Sequence, residues 1–232
     1  MKVAFIEAKA NKDIAEDLAK VASNIDYKKI GLISTVQFVK QLSTVKKILE
    51  KKGFFVFIGK PTGSAILEGQ VLGCDVSSAL SIEKEIDCFL FVGTGDFHPL
   101  GLLAKTNKPL LTFNPFTSQL KLLSNEERQK ILKKRVLMLA KFKDAKTVGI
   151  LVSTKPGQCQ LQASTAEIKE KLEKQGKKVY LFVCDSITNA ELRNFAHVGA
   201  WVNTACPRLI EDEFDKPFVN ALELSDSLLN AS

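Results

Sequence analysis

The chain has 232 residues, of which 45% are hydrophobic and 25% charged, and this ordinary composition excludes a collagen-like, a largely disordered or a disulfide-dense protein. Its 33 Lys and Arg residues against 26 Asp and Glu residues give a net charge of +7, and its length allows one large domain or two small ones. No apolar stretch reaches the roughly 18 residues of a membrane span, and charges at Lys2, Glu7 and Lys9 interrupt the N-terminal apolar run, so we expect no membrane partner, no signal peptide and a cytoplasmic location.

Short apolar runs rich in β-branched and aromatic residues recur along the chain and predict strands. In chain order they span residues 3–6, 30–33, 54–58, 89–92, 110–113, 148–152, 179–183, 200–202 and 217–221. The runs are nearly continuous rather than alternating, which is typical of parallel strands that are buried on both faces.

Helices are predicted between these strands. Residues 36–52 carry apolar side chains three and four positions apart, and the pattern stops at Gly53, a common residue after a helix end. Two capping-box patterns also predict helices, namely Ser124 with Glu127 before residues 131–142, and Ser164 with Glu167 before residues 168–175. Strands that alternate with helices predict an α/β fold with parallel sheets.

The excess of basic residues does not by itself indicate nucleic-acid binding. The lysines in residues 46–52 and 169–174 alternate with glutamates, as on the solvated face of a helix. The chain also has no aromatic-rich RNA-recognition motif. We therefore favour surface solvation over a nucleic-acid partner.

Four segments of the first half recur in the second half in the same order. The matches pair residues 29–35 with 147–154, 49–53 with 172–176, 91–94 with 201–204, and 108–111 with 216–219. They predict two tandem copies of one unit, each a small parallel sheet flanked by helices. We expect domains at residues 1–118 and 119–232, the second beginning with a long linking helix. A generic similarity between α/β segments is the alternative.

Polar loops follow three of the predicted strands, at the edge of a parallel sheet where ligands bind. Their candidate binding residues are Ser34, Thr35, Gln37, Gly93, Gly95, His98, Ser153, Lys155, Gly157 and Gln158. Glycines, hydroxyls and a lysine at the start of a helix suit an anionic group. Ordinary helix capping explains the hydroxyls equally well, a structural role explains His98 equally well, and no loop carries a Walker or dinucleotide motif.

The five cysteines are an odd number and none are at C-x-x-C spacing, so free thiols or metal ligands are favoured over disulfides. Cys74 and Cys206 lie in predicted loops, and a soft metal or an iron–sulfur cluster binds such thiolates. Cys88 and Cys184 fall in or beside predicted strands and are interpreted as small core residues.

Five segments together resemble a known family. They are residues 32–38 (Leu-Ile-Ser-Thr-Val-Gln-Phe), 69–74 (Gly-Gln-Val-Leu-Gly-Cys), 92–98 (Val-Gly-Thr-Gly-Asp-Phe-His), 113–116 (Phe-Asn-Pro-Phe) and 205–209 (Ala-Cys-Pro-Arg-Leu). In this order the sequence resembles the 2-(3-amino-3-carboxypropyl)histidine synthases, which begin diphthamide synthesis in archaea and eukaryotes.

The resemblance implies an activity and a set of cofactors. Complete family members have three similar α/β domains, and each domain gives one cysteine to a 4Fe–4S cluster whose fourth iron binds S-adenosylmethionine. Reductive cleavage then yields a 3-amino-3-carboxypropyl radical that adds to a histidine of translation elongation factor 2. By this resemblance Cys74 and Cys206 are metal ligands, and the loops at Ser34, Gly93 and Ser153 line the cofactor pocket.

The sequence resembles only the second and third domains of the family, so one ligand cysteine has no counterpart. Four explanations stay open: a separate chain with the first domain, a homodimer that shares a cluster, a substitute among Cys88, Cys159 and Cys184, or a non-catalytic binding or electron-relay subunit. An unrelated nucleotide- or phosphate-binding protein is the further alternative.

Overall fold

The computed structural model describes residue 6, residues 8–155 and residues 162–224, with the side chains of residues 162–164 excepted. In these ranges the strands are β1 (Lys29–Ser34), β2 (Phe55–Phe57), β3 (Cys88–Val92), β4 (Leu110–Asn114), β5 (Gln119–Leu123), β6 (Thr147–Ser153), β7 (Lys178–Cys184), β8 (Ala200–Asn203) and β9 (Phe218–Asn220). The helices are α1 (Ala15–Val21), α2 (Leu42–Lys51), α3 (Ser77–Leu80), α4 (Phe97–Leu103), α5 (Asn125–Asp144), α6 (Gln162–Lys174) and α7 (Asn189–Arg193). The predicted α/β class is confirmed, while the strand predicted over residues 3–6 lies almost entirely outside the described residues.

The chain divides into two compact units, Met1–Ile131 and Leu132–Ser232. The sheet of the first unit has the order β2-β1-β3-β4-β5, in which β5 alone is antiparallel. The sheet of the second unit has the order β7-β6-β8-β9 and is parallel throughout. Counted within each unit, the four parallel strands therefore follow the same order, 2-1-3-4.

Side chains of the central strands alternate between two apolar layers, which explains their continuous apolar runs. In the first unit, α1 and α2 pack on the face that carries Ile30 and Leu32, and α3 and α4 pack on the face of Phe89 and Phe91. In the second unit, the end of α5 and α6 cover one face, and α7 covers the other beside Trp201. Among the described residues, no helix has both the length and the apolar character of a membrane span.

The helix ends confirm one capping prediction and correct another. The Glu127 carboxylate accepts from the Ser124 N–H at 2.7 Å, and the Ser124 hydroxyl accepts from the Glu127 N–H at 3.1 Å, directly before α5. Since α6 already begins at Gln162, Ser164 lies inside that helix, and the capping box predicted there is wrong. The helix predicted over residues 36–52 is a 3-10 turn followed by α2.

The repeat between the units extends to single residues. Gly31 in β1 is the register partner of Phe89, and Gly149 in β6 is the register partner of Trp201. A Cβ atom at Gly149 would collide with the Trp201 ring, and one at Gly31 would collide with Ile86 and press on the Phe89 ring. Each unit therefore uses glycine to admit a large ring of its third strand.

Each unit has a lysine shortly before its fourth strand, and these two lysines show which residues of the units correspond. Lys108 Nζ donates to the Ile86 carbonyl at 2.7 Å, and Lys216 Nζ donates to the Val198 carbonyl at 2.5 Å. Each carbonyl precedes the third strand of its unit by two residues. Residues 89–92 therefore correspond to 201–204, and the match of 91–94 with 201–204 was wrong by two residues.

Candidate functional site

The 2-1-3-4 strand order creates a crevice in each unit. The chain leaves the first and third strands towards opposite sides of the sheet, so their carboxyl ends are not covered by a shared crossover. These ends belong to β1 and β3 in the first unit and to β6 and β8 in the second. The sequence-predicted loops at Ser34, Gly93 and Ser153 lie at three of the four ends.

Ser34 is committed to the backbone of its neighbours. Its buried hydroxyl donates to the Val92 carbonyl at 2.6 Å, which joins the ends of β1 and β3. Its N–H donates to the Gly69 carbonyl at 2.9 Å, and its carbonyl accepts from the Val71 N–H at 2.8 Å. The segment that leads to Cys74 is thereby held alongside β1.

The second unit makes the same connection with the partners exchanged. Its corresponding pair is Val152 and Thr204, and here the hydroxyl is on the third strand's side. Thr204 Oγ1 donates to the Leu151 carbonyl of β6 at 2.7 Å. In both units one hydroxyl therefore donates to a backbone carbonyl of the neighbouring strand, that of Val92 in the first unit and that of Leu151 in the second.

Thr35 differs from Ser34 in its side-chain hydroxyl, which is not used in a hydrogen bond between strands. Its Oγ1 is buried and makes no hydrogen bond with the described residues. Its carbonyl accepts from the N–H groups of Phe38 at 3.1 Å and Val39 at 3.0 Å, which begins the turn before α2. An unsatisfied buried hydroxyl at the end of a switch-point strand is a candidate for a ligand contact.

The loop after β3 places the next predicted residues. Gly93 continues the sheet, since its N–H donates to the Phe113 carbonyl at 3.0 Å, and Gly95 has a φ of +68° in the exposed turn. His98 lies in the first turn of α4, where its ring stacks on Phe91 at 6.3 Å and meets Phe97 edge-on at 5.1 Å. The half-buried His98 ring thus packs between aromatic rings.

An ion-pair chain connects this loop to β5. Lys121 Nζ lies 3.6 Å from the Asp96 carboxylate and 3.2 Å from that of Glu127. The hydrogen bond from Lys121 to Glu127, with the charge of Asp96, raises the pKa of Lys121. The loop after β3 is in this way connected both to the edge strand and to the start of α5.

The remaining predicted loop residues differ in exposure: Gln37 and Lys155 are exposed, whereas Ser153 is buried. Gln37 is exposed, and its carbonyl accepts from the Ala10 N–H at 3.1 Å. Ser153 Oγ accepts from the N–H of the exposed Lys155 at 3.1 Å. Gly157 and Gln158 lie outside the described residues.

Cys74 is exposed. Hydrogen bonds of nearby residues fix the loop in which it lies. Asp75 accepts from the Ala65 N–H at 2.7 Å and from the Ser77 N–H at 2.8 Å. Burial raises the pKa of Asp75, but these two hydrogen bonds outweigh that effect and keep the pKa below its ordinary value. Ser78 Oγ donates to the Gln70 carbonyl at 2.5 Å and closes the other side of the loop.

Cys206 lies just beyond the carboxyl end of β8 and caps the 3-10 turn Pro207–Glu211. It is half-buried. Its carbonyl accepts from Asn203 Nδ2 at 2.8 Å and from the Leu209 N–H at 3.1 Å. The backbone of this cysteine is therefore fixed, while its thiol keeps partial access to solvent.

The other described cysteines are poor thiolate donors. Burial and the charge of Asp87 raise the pKa of Cys88 to about 12. Burial, with Glu191 and Asp185, also raises the pKa of Cys184, whose Sγ lies 3.8 Å from the Val152 carbonyl. Cys159 lies outside the described residues, and within these no group of three His, Cys, Asp or Glu side chains forms a metal site.

The buried asparagines of the second unit were missed by sequence reasoning. Asn203 Nδ2 donates to Asn220 Oδ1 at 2.8 Å, and Asn220 Nδ2 donates to the Pro207 carbonyl at 2.9 Å. A signal was present, since Asn203 directly follows one predicted apolar run and Asn220 lies inside another. Polar amides at such positions are buried only with partners.

Comparison with known proteins identifies the family. The model of the diphthamide synthesis protein family matches residues 1–230. The chain belongs to the diphthamide synthesis protein family. The 2-(3-amino-3-carboxypropyl)histidine synthase of Pyrococcus horikoshii is 36% identical over 212 residues, which cover 90% of this chain and 60% of that enzyme. Subunit 1 of the Schizosaccharomyces pombe synthase is 29% identical, over 92% of this chain and 51% of the subunit.

The solved structures of this family agree with the fold. Two crystal structures of Dph2 from Pyrococcus horikoshii, one of them with a 4Fe–4S cluster, match 97% of this chain with a TM-score of 0.82 and 32% identity. The match covers 64% of the Dph2 chain. The present chain thus spans about three fifths of the length of these relatives.

Proposed function

We propose that this chain is part of a 2-(3-amino-3-carboxypropyl)histidine synthase. It takes part in the transfer of the 3-amino-3-carboxypropyl group from S-adenosylmethionine to a histidine of translation elongation factor 2. The observation that carries the proposal is the match of nearly the whole chain to a diphthamide-family structure with a 4Fe–4S cluster. The names of the curated relatives support the same transferase reaction.

Cys74 and Cys206 are the proposed cluster ligands. Cys74 is exposed and Cys206 is half-buried, and hydrogen bonds hold the segment on which each of them lies. This donor chemistry fits an iron–sulfur cluster, which binds to thiolates. A bound cluster would supply the electron that cleaves S-adenosylmethionine.

The protein groups at the strand ends would orient the cofactor. Thr35 is the best candidate for a direct hydrogen bond, because its buried Oγ1 has none with the described residues. Ser34 would instead keep the ends of β1 and β3 together, since its hydroxyl donates to Val92. Gly95, Ser153 and Lys155 stay proposed cofactor contacts, each at the end of a strand of its own unit.

The third cluster ligand is proposed to come from outside the described residues. Cys88 and Cys184 are disfavoured as substitutes, because burial raises the pKa of both thiols. The donor is then a first domain like that of the family, a second copy of this chain, or Cys159.

A non-catalytic subunit of the same complex is the second candidate function. The observation in its favour is that the described residues contain no complete metal-ligand group. Such a subunit would bind the partner chain or the elongation factor, or relay electrons, without a cluster of its own.

A transfer assay separates these functions. The anaerobically reconstituted chain is incubated with dithionite, elongation factor 2 and S-adenosylmethionine labelled in the aminocarboxypropyl group, alone and with a chain that carries the first domain. We expect label on the elongation-factor histidine, and we expect Cys206→Ala to abolish it. Label that persists in Cys206→Ala, or its absence in every combination with a cluster-loaded partner, would contradict the catalytic proposal.

A further inference from the structure

A buried polar network surrounds the 3-10 turn that follows Cys206. At the start of the turn, Asn203 donates to the Cys206 carbonyl and Asn220 donates to the Pro207 carbonyl. The two amides also hydrogen-bond to each other at 2.8 Å, and both residues are at most 4% exposed. The first two carbonyls of the turn are thus held by side chains.

Charged side chains hold the end of the same turn. Glu211, its last residue, lies 3.1 Å from Arg208 Nη1 and 3.4 Å from Arg135 Nη2. Lys134 Nζ donates to the carbonyls of Glu211 and Asp212, at 3.2 Å each. Both Arg135 and Lys134 come from α5 and lie more than 70 positions before these partners in the sequence.

Arg135 connects the two ends of the network. Its Nη1 lies 3.5 Å from Glu223 Oε1, and Glu223 Oε1 also accepts from Asn220 Nδ2 at 3.4 Å. The guanidinium is thereby placed between two carboxylates, one linked to the start of the turn and one at its end. A planar guanidinium can serve two carboxylates in fixed directions, which an ammonium group does less well.

The turn needs this support because it is a short 3-10 segment, Pro207–Glu211. Its backbone bonds include those from the Leu209 N–H to the Cys206 carbonyl and from the Asp212 N–H to the Leu209 carbonyl. Short 3-10 segments have poor hydrogen-bond geometry and depend on outside contacts. A partly buried arginine between two carboxylates also leaves uncompensated charges when it is removed.

We propose that Arg135 is a positioning residue for Cys206: through Glu211 and Glu223 it fixes the 3-10 turn on which the proposed cluster ligand is mounted. The inference rests on the proposed function only in the role given to the thiol. The rigidity of the turn is a property of the iron-free protein and is tested there.

Amide hydrogen exchange of the iron-free full chain measures this rigidity. We expect Arg135→Met to speed exchange at the Leu209 and Asp212 amides at least about tenfold, with the amides of β6 unchanged. Arg135→Lys keeps the charge and is expected to restore part of the protection. Arg193→Met is the matched control, because it removes an arginine of the same unit whose partner, Asp215, lies outside this network; it should leave both amides unchanged.

Two outcomes would overturn the positioning role. One is unchanged exchange at Leu209 and Asp212 in Arg135→Met, and the other is an equal increase there and in β6, which would indicate general stabilisation. If Arg135→Met does not fold, Glu223→Gln takes its place, with an expected increase of about threefold at both amides; no increase would overturn the proposal.

The test separates this inference from the proposed function. If Cys206→Ala retains full iron after reconstitution with a first-domain partner, the ligand assignment fails, whatever the exchange data show. If Cys206→Ala loses iron but Arg135→Met exchanges like the wild type, only the positioning role fails. If both the ligand assignment of Cys206 and the positioning role of Arg135 hold, Arg135→Met should release its iron to a chelator at least about threefold faster than the wild type and Arg193→Met.

Discussion

At the scale of single residues, burial decides which cysteine can act as a thiolate. Cys88 is fully buried, and burial together with Asp87 raises its pKa to about 12, whereas Cys74 is exposed. An unfolded thiol ionises near its ordinary value of 9.0. The folded chain therefore keeps a proton between pH 9.0 and about 12 that the unfolded chain releases.

This difference predicts an alkaline loss of stability. The contribution of Cys88 is fully present below pH 9.0 and disappears as the pH rises towards about 12. We expect Cys88→Ala to flatten the fall of the unfolding free energy in this range by up to about 1.4 kcal/mol per pH unit. Urea denaturation at a series of pH values measures it, and parallel curves for the two proteins would contradict the assignment.

Asp75 provides a prediction on the acid side, next to Cys74. Its carboxylate accepts two backbone hydrogen bonds, so Asp75→Ala should lower the unfolding free energy by about 1–2 kcal/mol at neutral pH. Because these bonds lower its pKa, the contribution is present above the ordinary value of 3.8 and is lost as the pH falls below it. The difference in unfolding free energy between wild type and Asp75→Ala should therefore shrink in acid. Asp26 is exposed, and Asp26→Ala should leave the unfolding free energy unchanged at neutral and at acid pH.

The chemistry of single residues was only partly predictable from the sequence. The two loop cysteines stood out because each lies in a short motif with glycine or proline beside it. The Asn203–Asn220 pair did not, because its members are 17 positions apart and only the pairing of β8 with β9 joins them. Arg135 was hidden for the same reason, since its partners lie more than 70 positions away.

At the scale of elements, local signals predicted each of the described strands except the edge strand β5. β1, β3 and β6 are buried on both faces, so their apolar runs are unbroken. β5 was missed because it is an edge strand in which only Leu123 is buried, so its sequence mixes polar and apolar residues. It pairs with β4 in the first sheet, and the two units divide within α5, after residue 131.

The two capping-box patterns give a paired prediction at this scale. Ser124→Ala removes the hydroxyl that accepts from the Glu127 N–H and should cost about 1 kcal/mol of unfolding free energy. Ser164→Ala changes the same residue type inside α6, where alanine is the better helix former, and should cost nothing. Equal destabilisation of both variants in thermal or urea unfolding would contradict the assigned start of α5 or of α6.

At the scale of the whole molecule, the two units share one strand order, whereas their bridging hydroxyls, Ser34 and Thr204, and their loop cysteines lie at different positions in it. Cys206 follows the third strand of its unit, while Cys74 lies between the second and third strands of the other. The repeat thus supplies a common scaffold, and each unit adds its own cysteine loop. Sequence periodicity could predict the scaffold, whereas the family resemblance was needed to give both thiols one role.

We propose that Cys74 and Cys206 each supply a thiolate to one iron–sulfur cluster. Iron per chain after anaerobic reconstitution, with a first-domain chain present, tests it most directly. Cys74→Ala and Cys206→Ala should each lose the iron and the low-temperature paramagnetic signal of the reduced cluster, while Cys88→Ala keeps both. Iron that survives either of the first two substitutions, or is lost equally in all three, would contradict the claim.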